Sequence, residues 1–363
     1  WESGELDAFQ GSIDYPTRTV RPGVRYRARV RHKDNQGRWS HWSDPVEFVA
    51  SSPDISPYVA SLRISEIHYH PLPATAEEEA QGWQDSDFEF IEIYNTGDLE
   101  IDLTDVRFTK GIDFDFIPGT VVASRDYVLV VRNQAAFQSR YGDGLPVAGE
   151  WDPDDRLDNG GENLRLSLGA GIPIVEFRYG DDWPWPEGAD GDGFSLTLHV
   201  PSTAQPGDHQ DPEAWRVSRF LGGSPGTDDG IVFSQWALTS GLGESADWNR
   251  DVDGDGLSNF MEYALATNPQ ASSVGRVPKV NRQQVEGGEQ AGNYITFTFR
   301  RQIAAEDLNY SVEFSENLDT WSVVPGFPYS ITLHDDGTRT EVWRMPFEVN
   351  MVGNYFVRLR VEG

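Results

Sequence analysis

Short segments in which apolar and polar residues alternate recur along most of the chain. Examples are "FEFIEIYN", "IDLTDVRFT", "NLRLSL" and "NYFVRLRV". Alternation with a period of two residues is typical of β-strands that bury one face, and turn clusters such as "NTGD" and "GADGDG" separate these segments. Many short strands between polar turns favour β-sandwiches. The pattern therefore predicts a mostly β protein built from tandem β-sandwiches.

One region, between residues 231 and 270, departs from this alternation and follows a helical period. An acidic loop divides it, and Asn268-Pro269 is expected to end the second helix. The sequence therefore predicts a small helix-loop-helix. The residues expected on the two apolar helix faces are Phe233, Trp236 and Ala237 on the first and Leu257, Phe260, Met261, Ala264 and Leu265 on the second.

These patterns and the Ser-, Pro- and Gly-rich stretches between them predict five segments. The predicted segments are a partial β-domain at 1–50, a linker at 51–59, a large β-sandwich at 60–226, the helix-loop-helix at 227–272 and a C-terminal β-sandwich at 273–363. The first segment supplies only three or four strands, so the chain is expected to begin inside a domain.

Composition narrows the possible partners. The 363 residues carry 29 Lys and Arg against 59 Asp and Glu, a net charge of −30. Such a surface repels nucleic acid and anionic membranes. There is no cysteine, which excludes disulfides and thiol chemistry. No stretch predicts a membrane span or a signal peptide.

The acidic loop between the two predicted helices has the composition of a calcium site. "DVDGDGLSNFME", residues 251–262, fits the twelve-residue loop D-x-[DN]-x-[DN]-G-x5-E at every fixed position. Calcium binds six to eight oxygens, which these side chains and one backbone carbonyl can supply. We expect a single structural Ca2+ site. Its predicted ligands are Asp251, Asp253, Asp255, Leu257 through its carbonyl, Asn259 and Glu262.

The segment "DGDGLSNFMEYALATNP" resembles the dockerin and thrombospondin type 3 class of calcium repeats, which is EF-hand-like. It is also similar to segments near the C-termini of large secreted bacterial proteins. Dockerins carry two such loops and bind cohesins. A single loop of this kind does not imply cohesin binding.

The middle segment resembles the lamin tail domain, an immunoglobulin-like sandwich. "ISEIHYHP", "FIEIYNTG" and "IDLTDVRF" are the specific parts, and "NLRLSL" and "IVEFRYGDDWPW" match later strands. The resemblance implies a secreted module without catalytic residues.

The N-terminal segment resembles the last strands of a fibronectin type III domain. Pro22-Gly23 before Tyr26 matches that fold's tyrosine corner, and "WSHWS" matches the W-S-x-W-S box of cytokine receptors. Arginines at alternate positions share one strand face. Trp39 and Trp42 are therefore predicted to have guanidinium groups of Arg25, Arg27, Arg29 and Arg31 within ~6 Å, while Tyr26, Ala28 and Val30 point to the core.

Other candidate groups favour structural roles. His68 and His70 share a strand face, but Pro71 follows and no third ligand is spaced to complete a metal site. Glu89 and Glu92 are three apart and should face opposite ways on a strand, so they are not a natural acid/base pair. There is no G-x-S-x-G elbow and no phosphate loop. We therefore expect the chain not to be an enzyme.

Two hypotheses for function follow. The first is a non-catalytic segment of a large secreted or cell-surface bacterial protein, stabilised by calcium and used for spacing, adhesion or display. Its partner would be another surface protein or an extracellular polysaccharide. The second is an accessory region of a secreted enzyme whose catalytic domain precedes it. Trp183 and Trp185 in "DDWPWP" would then stack on sugar rings, although packing is the simpler interpretation of Trp beside Pro.

Overall fold

The structure, a computed structural model, describes residues 1–8, 10–13, 15–243, 246–285, 292–348 and 355–363. The chain is mostly β, with several antiparallel sheets, as the alternating pattern predicts. It divides into two compact units, one formed by residues 1–185 and 201–214 and the other by residues 186–200 and 215–363. The finer division into five segments stays a prediction.

At the N-terminus, strands β1 (Arg25–Ala28) and β2 (Val46–Val49) form an antiparallel pair. The Tyr26 ring stacks on Phe48 with centroids 5.9 Å apart. Its hydroxyl accepts a hydrogen bond from the backbone N–H of Arg21 at 2.7 Å. A tyrosine corner makes this type of bond back to the upstream backbone.

The predicted interleaving of arginines with tryptophans is confirmed for the second half of the basic stretch. The Arg29 guanidinium lies 4.7 Å from the Trp42 ring centroid. Arg31 lies 4.3 Å from Trp39 and 4.5 Å from Trp42. Each cation is attracted by the negative face of the indole, which offsets the repulsion between neighbouring guanidinium groups.

The first half of the basic stretch differs from the prediction. Arg25 and Arg27 bond to Glu47, at 3.1 Å and 2.8 Å, because the pairing register places Glu47 opposite Arg27. Ala28 and Val30, both predicted to point to the core, are exposed, Val30 at 53%, whereas Tyr26 is half-buried. Strand β1 ends at Ala28 and lies in a two-stranded sheet, which has too few strands to cover this face with a core.

The rest of the first unit contains two sheets. Its elements are α1 (Ser56–Ser61), β3 (Leu62–His68), α2 (Ala76–Glu79), β4 (Phe90–Asn95), β5 (Ile101–Asp102), β6 (Val106–Lys110), β7 (Phe114–Asp115), β8 (Val121–Val122), β9 (Tyr127–Val131), α3 (Gln134–Tyr141), β10 (Val147–Glu150), β11 (Asn163–Leu168) and β12 (Ile172–Arg178). In one sheet the strands lie in the order β10, β9, β4, β3, antiparallel except for β9 with β10. In the other the order is β12, β11, β6, β7, and β5 pairs with β8.

Strand β4 is buried on both faces, which explains its nearly continuous apolar sequence. One face carries Phe90, which packs with Leu129 of β9 and Phe137 of α3. The other face carries Ile91 and Ile93, both fully buried. A strand covered on both sides needs apolar residues at successive positions, so it loses the clean alternation of a half-exposed strand.

The second unit contains the helix-loop-helix and further antiparallel strands. Strand β13 pairs with β14, one sheet has the order β15, β16, β20, β19, and another has the order β18, β17, β21. The elements are β13 (Leu196–Leu198), β14 (Trp215–Val217), α4 (Phe233–Thr239), α5 (Asn259–Ala264), β15 (Lys279–Val285), β16 (Gly292–Gln302), β17 (Asn309–Ser315), β18 (Ser322–Val323), β19 (Ser330–Leu333), β20 (Thr338–Glu348) and β21 (Phe356–Glu362).

The helices of the second unit share their core with its strands. Leu265, directly after α5, lies in one cluster with Phe297 of β16, Val312 of β17 and Met345 of β20. Helix α5 ends at Ala264, earlier than the predicted stop at Asn268-Pro269. Ala266 has φ 53°, a left-handed conformation that cannot continue a right-handed helix.

A buried ion triad lies in the same unit. The Arg216 guanidinium bonds to the carboxylates of Asp229 and Glu306, and these three side chains are 2%, 0% and 7% exposed. The second oxygen of Asp229 accepts the backbone N–H of Arg219, and Glu306 accepts that of Val200. Each carboxylate is therefore held by Arg216 and by a backbone amide.

Candidate metal centre

The acidic loop lies between helices α4 and α5, as predicted. Its two ends are tied together: Asn259 donates its backbone N–H to the Arg250 carbonyl at 2.8 Å, and Phe260 donates to the Trp248 carbonyl at 3.0 Å. The Trp248 ring stacks between Phe233 of α4, at 4.3 Å, and Phe260, at 5.0 Å. These contacts fix where the loop leaves one helix and enters the next.

Within the loop, turn hydrogen bonds orient the three aspartates. Asp251 accepts the N–H groups of Gly254 at 2.7 Å and Gly256 at 2.9 Å. Asp255 accepts the N–H of Leu257 at 2.9 Å. One oxygen from each of Asp251, Asp253 and Asp255 lies within 4.8 Å of the others. The loop thus gathers three negative charges at one point.

Gly256, at the sixth loop position, has φ +95°. L-residues with a side chain rarely adopt this conformation, and glycine does so without steric cost. The turn it makes reverses the chain after Asp255. This is the physical reason that the loop pattern fixes glycine at this position.

Three buried oxygen atoms of the loop have no hydrogen-bond partner among the described residues. They are Oδ2 of Asp253, Oδ1 of Asn259 and Oε2 of Glu262. Asn259 is 1% exposed and Glu262 is fully buried. Buried polar oxygens are almost always paired, because leaving one unpaired costs about 1–3 kcal/mol. All three belong to residues predicted to bind calcium, at loop positions 3, 9 and 12.

The pKa of Glu262 shows the effect of burying a carboxyl group beside the aspartates of the loop. Burial, followed by the negative charges of Asp253 and Asp255, raises the pKa of its carboxyl group to about 7. Its other oxygen, Oε1, accepts a long hydrogen bond of 3.4 Å from the Thr267 hydroxyl. A carboxylate in these surroundings is stabilised by a nearby cation, which would favour its charged form.

These donors suit a hard divalent cation. Carboxylate, amide and carbonyl oxygens are the ligands that Ca2+ prefers, and the loop length and composition are those of a calcium loop. The structure brings one oxygen from each of Asp251, Asp253 and Asp255 within 4.8 Å of the others. Asn259 and Glu262 lie on the exit helix, each with a buried oxygen that has no partner among the described residues. For Leu257, the role of its backbone carbonyl stays a prediction.

Helix α5 ties the loop to the strands of the second unit. The hydroxyl of Tyr263, the residue after Glu262, donates to the Ile231 carbonyl at 2.7 Å or to the Asp307 carboxylate. The Tyr310 hydroxyl of β17 donates to the Ala264 carbonyl at 2.9 Å. A displacement of Glu262 would therefore strain contacts on both sides of its helix.

Sequence reasoning missed several residues that support the loop. Ser258 caps α5 by accepting the Met261 N–H at 3.4 Å, and the Ser273 N–H donates to Asp255. The side-chain amide of Asn259 donates to the Asp247 carbonyl at 2.8 Å. Only the Ser258 cap has a sequence pattern, since serine before an apolar helix is a common N-cap. The hydrogen bond from Ser273 to Asp255 joins positions far apart in the loop region, and no sequence pattern predicts it.

Glu89 is the buried carboxyl that most resembles a catalytic acid. Burial raises its pKa to about 8, while the Leu157 N–H and the Arg132 guanidinium lower it less. It is 1% exposed, and its Oε2 accepts the Leu157 N–H at 2.9 Å. Glu92, also buried, accepts the Ser65 hydroxyl at 2.6 Å. Both acids thus lie in the interior, bonded to neighbouring groups, rather than face solvent.

The raised pKa of Glu89 makes the first unit's stability depend on pH. Its pKa of about 8 exceeds the unfolded value near 4.5, so the folded state binds the extra proton. Stability from this group is full below about pH 4.5 and is lost as pH rises to about 8. Between pH 5 and pH 8 this group should cost about 3–4 kcal/mol of unfolding free energy, and Glu89→Gln should remove that dependence. Urea unfolding at pH 5 and pH 8 measures the change in unfolding free energy with pH. The same change in the wild-type chain and in Glu89→Gln would contradict the prediction.

The remaining candidates from the sequence do not form a second site of this kind. His68 packs on Phe90 with ring centroids 5.4 Å apart. Trp183 is 59% exposed, whereas Trp185 is half-buried with its ring against Gly180. In the part of the chain that the structure describes, Asp251, Asp253 and Asp255 form the group of three acids close enough to share a metal ion.

Comparison with known proteins identifies one part of the chain. A family model described as the Lamin Tail Domain matches residues 56–180. The match covers α1 to β12 and lies within the first unit. No curated protein and no solved structure matches the chain. The lamin tail resemblance is thereby supported for these residues, and this immunoglobulin-like, mostly β module suggests a non-catalytic role.

Among the described residues, no helix has both the length and the apolar character needed to cross a membrane.

Proposed function

We propose that the chain is a calcium-stabilised, non-catalytic modular segment of a secreted or cell-surface bacterial protein, used for spacing, adhesion or display. The observation that carries this proposal is the set of three buried, unpaired loop oxygens on Asp253, Asn259 and Glu262. The lamin tail match at residues 56–180 supports its modular, non-enzymatic part.

Calcium would act here as a structural clip. Asp251, Asp253, Asp255, Asn259 and Glu262 would hold it, and its charge would offset the repulsion among four carboxylates. Since Glu262 precedes Tyr263 on α5, an ion bound to it would fix the helix that packs against the strands of the second unit. A single clip of this kind stabilises one arrangement of the chain.

Calcium binding can be measured directly. Isothermal titration of the chelator-treated full chain with CaCl2 should show one tight site. Glu262→Gln should weaken it by about 100-fold, because it removes the charge of a buried ligand and leaves its shape. Glu316→Gln, which removes an exposed acid outside the loop, is the matched control and should leave the affinity unchanged.

Two results would count against the clip. The first is the absence of calcium binding at millimolar concentration. The second is an equal loss of affinity in Glu262→Gln and Glu316→Gln, since that would indicate binding by the overall negative charge. Magnesium as the competing cation separates a calcium-sized site from a general acidic surface.

The alternative is a polysaccharide-binding accessory region of a secreted enzyme. The observation that favours it is the 59% exposure of Trp183, whose indole could stack on a sugar ring. Trp185 supports it less, because its ring lies against Gly180. A neutral glycan that binds the wild-type chain but does not bind its Trp183→Ala variant would favour this alternative.

A further inference from the structure

A cavity of about 600 Å3 in the first unit is lined by cations, although the chain as a whole is strongly acidic. Five of its lining residues are Lys or Arg and two are Asp. Over the whole chain the acids outnumber the cations by two to one. The cavity therefore has a positive lining in a negative protein, which favours an anionic ligand. The five cations are Arg18, Arg21, Arg107, Lys110 and Arg165.

The sheet brings three of these cations together. Arg107 and Lys110 lie on β6, and Arg165 lies directly opposite Lys110 on β11. Like charges facing each other across two strands destabilise a sheet. Glu176 of β12 offsets this repulsion by bonding to Lys110 at 2.6 Å and to Arg165 at 2.7 Å. One carboxylate thus serves two cations.

The cations keep hydrogen-bonding capacity after these pairings. The exposed guanidinium of Arg21 forms no ion pair among the described residues. Nε of Arg165 is buried and has no hydrogen-bond partner within the described chain. Arg107 pairs with Asp113, which also lines the cavity, at 3.1 Å and with Asp115 at 2.9 Å; Arg18 pairs with Asp115 as well. Donors of this kind match the oxygens of carboxylate, sulfate and phosphate groups.

We infer that this cavity binds an acidic saccharide of about disaccharide size through its carboxylate or sulfate groups. Its volume falls within the range of small-molecule sites and exceeds the need of a single inorganic ion. Among the described residues, no aromatic side chain lines it, so the ligand would be recognised by charge and hydrogen bonds rather than by stacking on its ring. Arg21, Lys110 and Arg165 would contact the anionic groups, and Thr109 a sugar hydroxyl.

This site is independent of the calcium loop. The cavity is formed by residues of the first unit and the loop by residues of the second. The ligand class also differs from the neutral sugars expected at Trp183. The chain could therefore bind an acidic disaccharide in the cavity without binding calcium in the loop, or bind calcium without binding the disaccharide.

Isothermal titration at low ionic strength tests the site in the full chain, with digalacturonate and a sulfated disaccharide as probes. Cellobiose is the neutral control. At least one acidic disaccharide should bind, and added NaCl should weaken the binding. Arg21→Gln should lower the affinity about tenfold, because it removes one charge-assisted bond. This residue is exposed and its backbone bond to Tyr26 remains, so the variant should fold.

Two further variants make the test specific. Asp113→Asn should raise the affinity about three-fold, because it removes a negative charge from the lining and one of the two ion pairs of Arg107, which keeps its pair with Asp115. A gain of affinity cannot come from misfolding. Arg178→Gln, at an exposed arginine outside the cavity, should leave the affinity unchanged.

Three results would contradict the proposal that the cavity binds an acidic disaccharide. These are no binding of either acidic disaccharide, equal binding of cellobiose, and equal affinity in Arg21→Gln. Binding of inorganic sulfate without either disaccharide would mean an adventitious ion only. Binding of just one acidic disaccharide supports the site and identifies carboxylate or sulfate as the recognised group.

Discussion

Chelation of calcium is expected to lower an unfolding midpoint of the full chain by about 5–10 °C. If the dissociation constant is on the order of 10 µM, 1 mM calcium stabilises the folded state by about 2.7 kcal/mol. For a unit of this size, each kcal/mol shifts the midpoint by about 2–4 °C. Differential scanning calorimetry with calcium and with EGTA measures the shift.

The physical cause is the group of charges that the loop holds together. Without a cation, one oxygen from each of three aspartates lies within 4.8 Å of the others, and Glu262 is buried beside them. Burial and these neighbours raise the pKa of Glu262 to about 7, which shows how unfavourable its negative charge is without a cation. A bound divalent ion removes this cost in the folded state alone.

Matched variants make the result specific. Asp253→Ala should abolish the calcium-dependent shift, because it removes an unpaired buried oxygen. Asp319→Ala removes an exposed acid from a turn outside the loop and should keep the shift. An unfolding midpoint that is the same in calcium and in EGTA would contradict the structural role of the site.

Replacing Arg216 by Met is expected to destabilise the second unit by about 3–5 kcal/mol. Burial lowers the pKa of Arg216, but Asp229 and Glu306 raise it by more, so the side chain stays charged. Removing the cation leaves two buried carboxylates near each other without a counterion. The loss should appear in urea unfolding of the full chain, as a transition at lower denaturant concentration.

A second substitution separates electrostatics from packing. Adding Glu306→Gln to Arg216→Met should recover part of the lost stability, because it removes one of the two uncompensated charges. Arg282→Met, at an exposed position on β15, should change stability by less than about 0.5 kcal/mol. If the double variant were less stable than Arg216→Met, the cost would lie in packing instead.

The position of the candidate metal site could be predicted because its geometry is local. Twelve consecutive residues specify the turn at Gly256, the three aspartates and the exit helix. The burial of Glu262 and Asn259 could not be predicted in the same way. It depends on how α5 packs, including the contact of Leu265 with strands more than 30 residues away in sequence, such as that of Phe297.

The same distinction holds elsewhere in the fold. Alternation identified the strands, and the spacing of Arg29 and Arg31 predicted their contacts with Trp39 and Trp42. For Arg25 and Arg27 the same spacing predicts contacts with tryptophan, but both bond to Glu47, because the strand register brings Glu47 beside them. The Arg216 triad joins positions far apart in sequence, and charged residues in an acidic chain give no local pattern for it.

Glu262 and Tyr263 are adjacent on α5, and their adjacency implies that ion binding and folding of the strands are thermodynamically reciprocal. Glu262 belongs to the candidate ion site, while the Tyr263 hydroxyl contacts the Ile231 carbonyl and the Asp307 carboxylate. If the ion stabilises this helix, the free energy by which it strengthens the contacts of Tyr263 equals the free energy by which those contacts strengthen ion binding. The affinity of the loop for its ion is then a property of the whole second unit rather than of twelve residues.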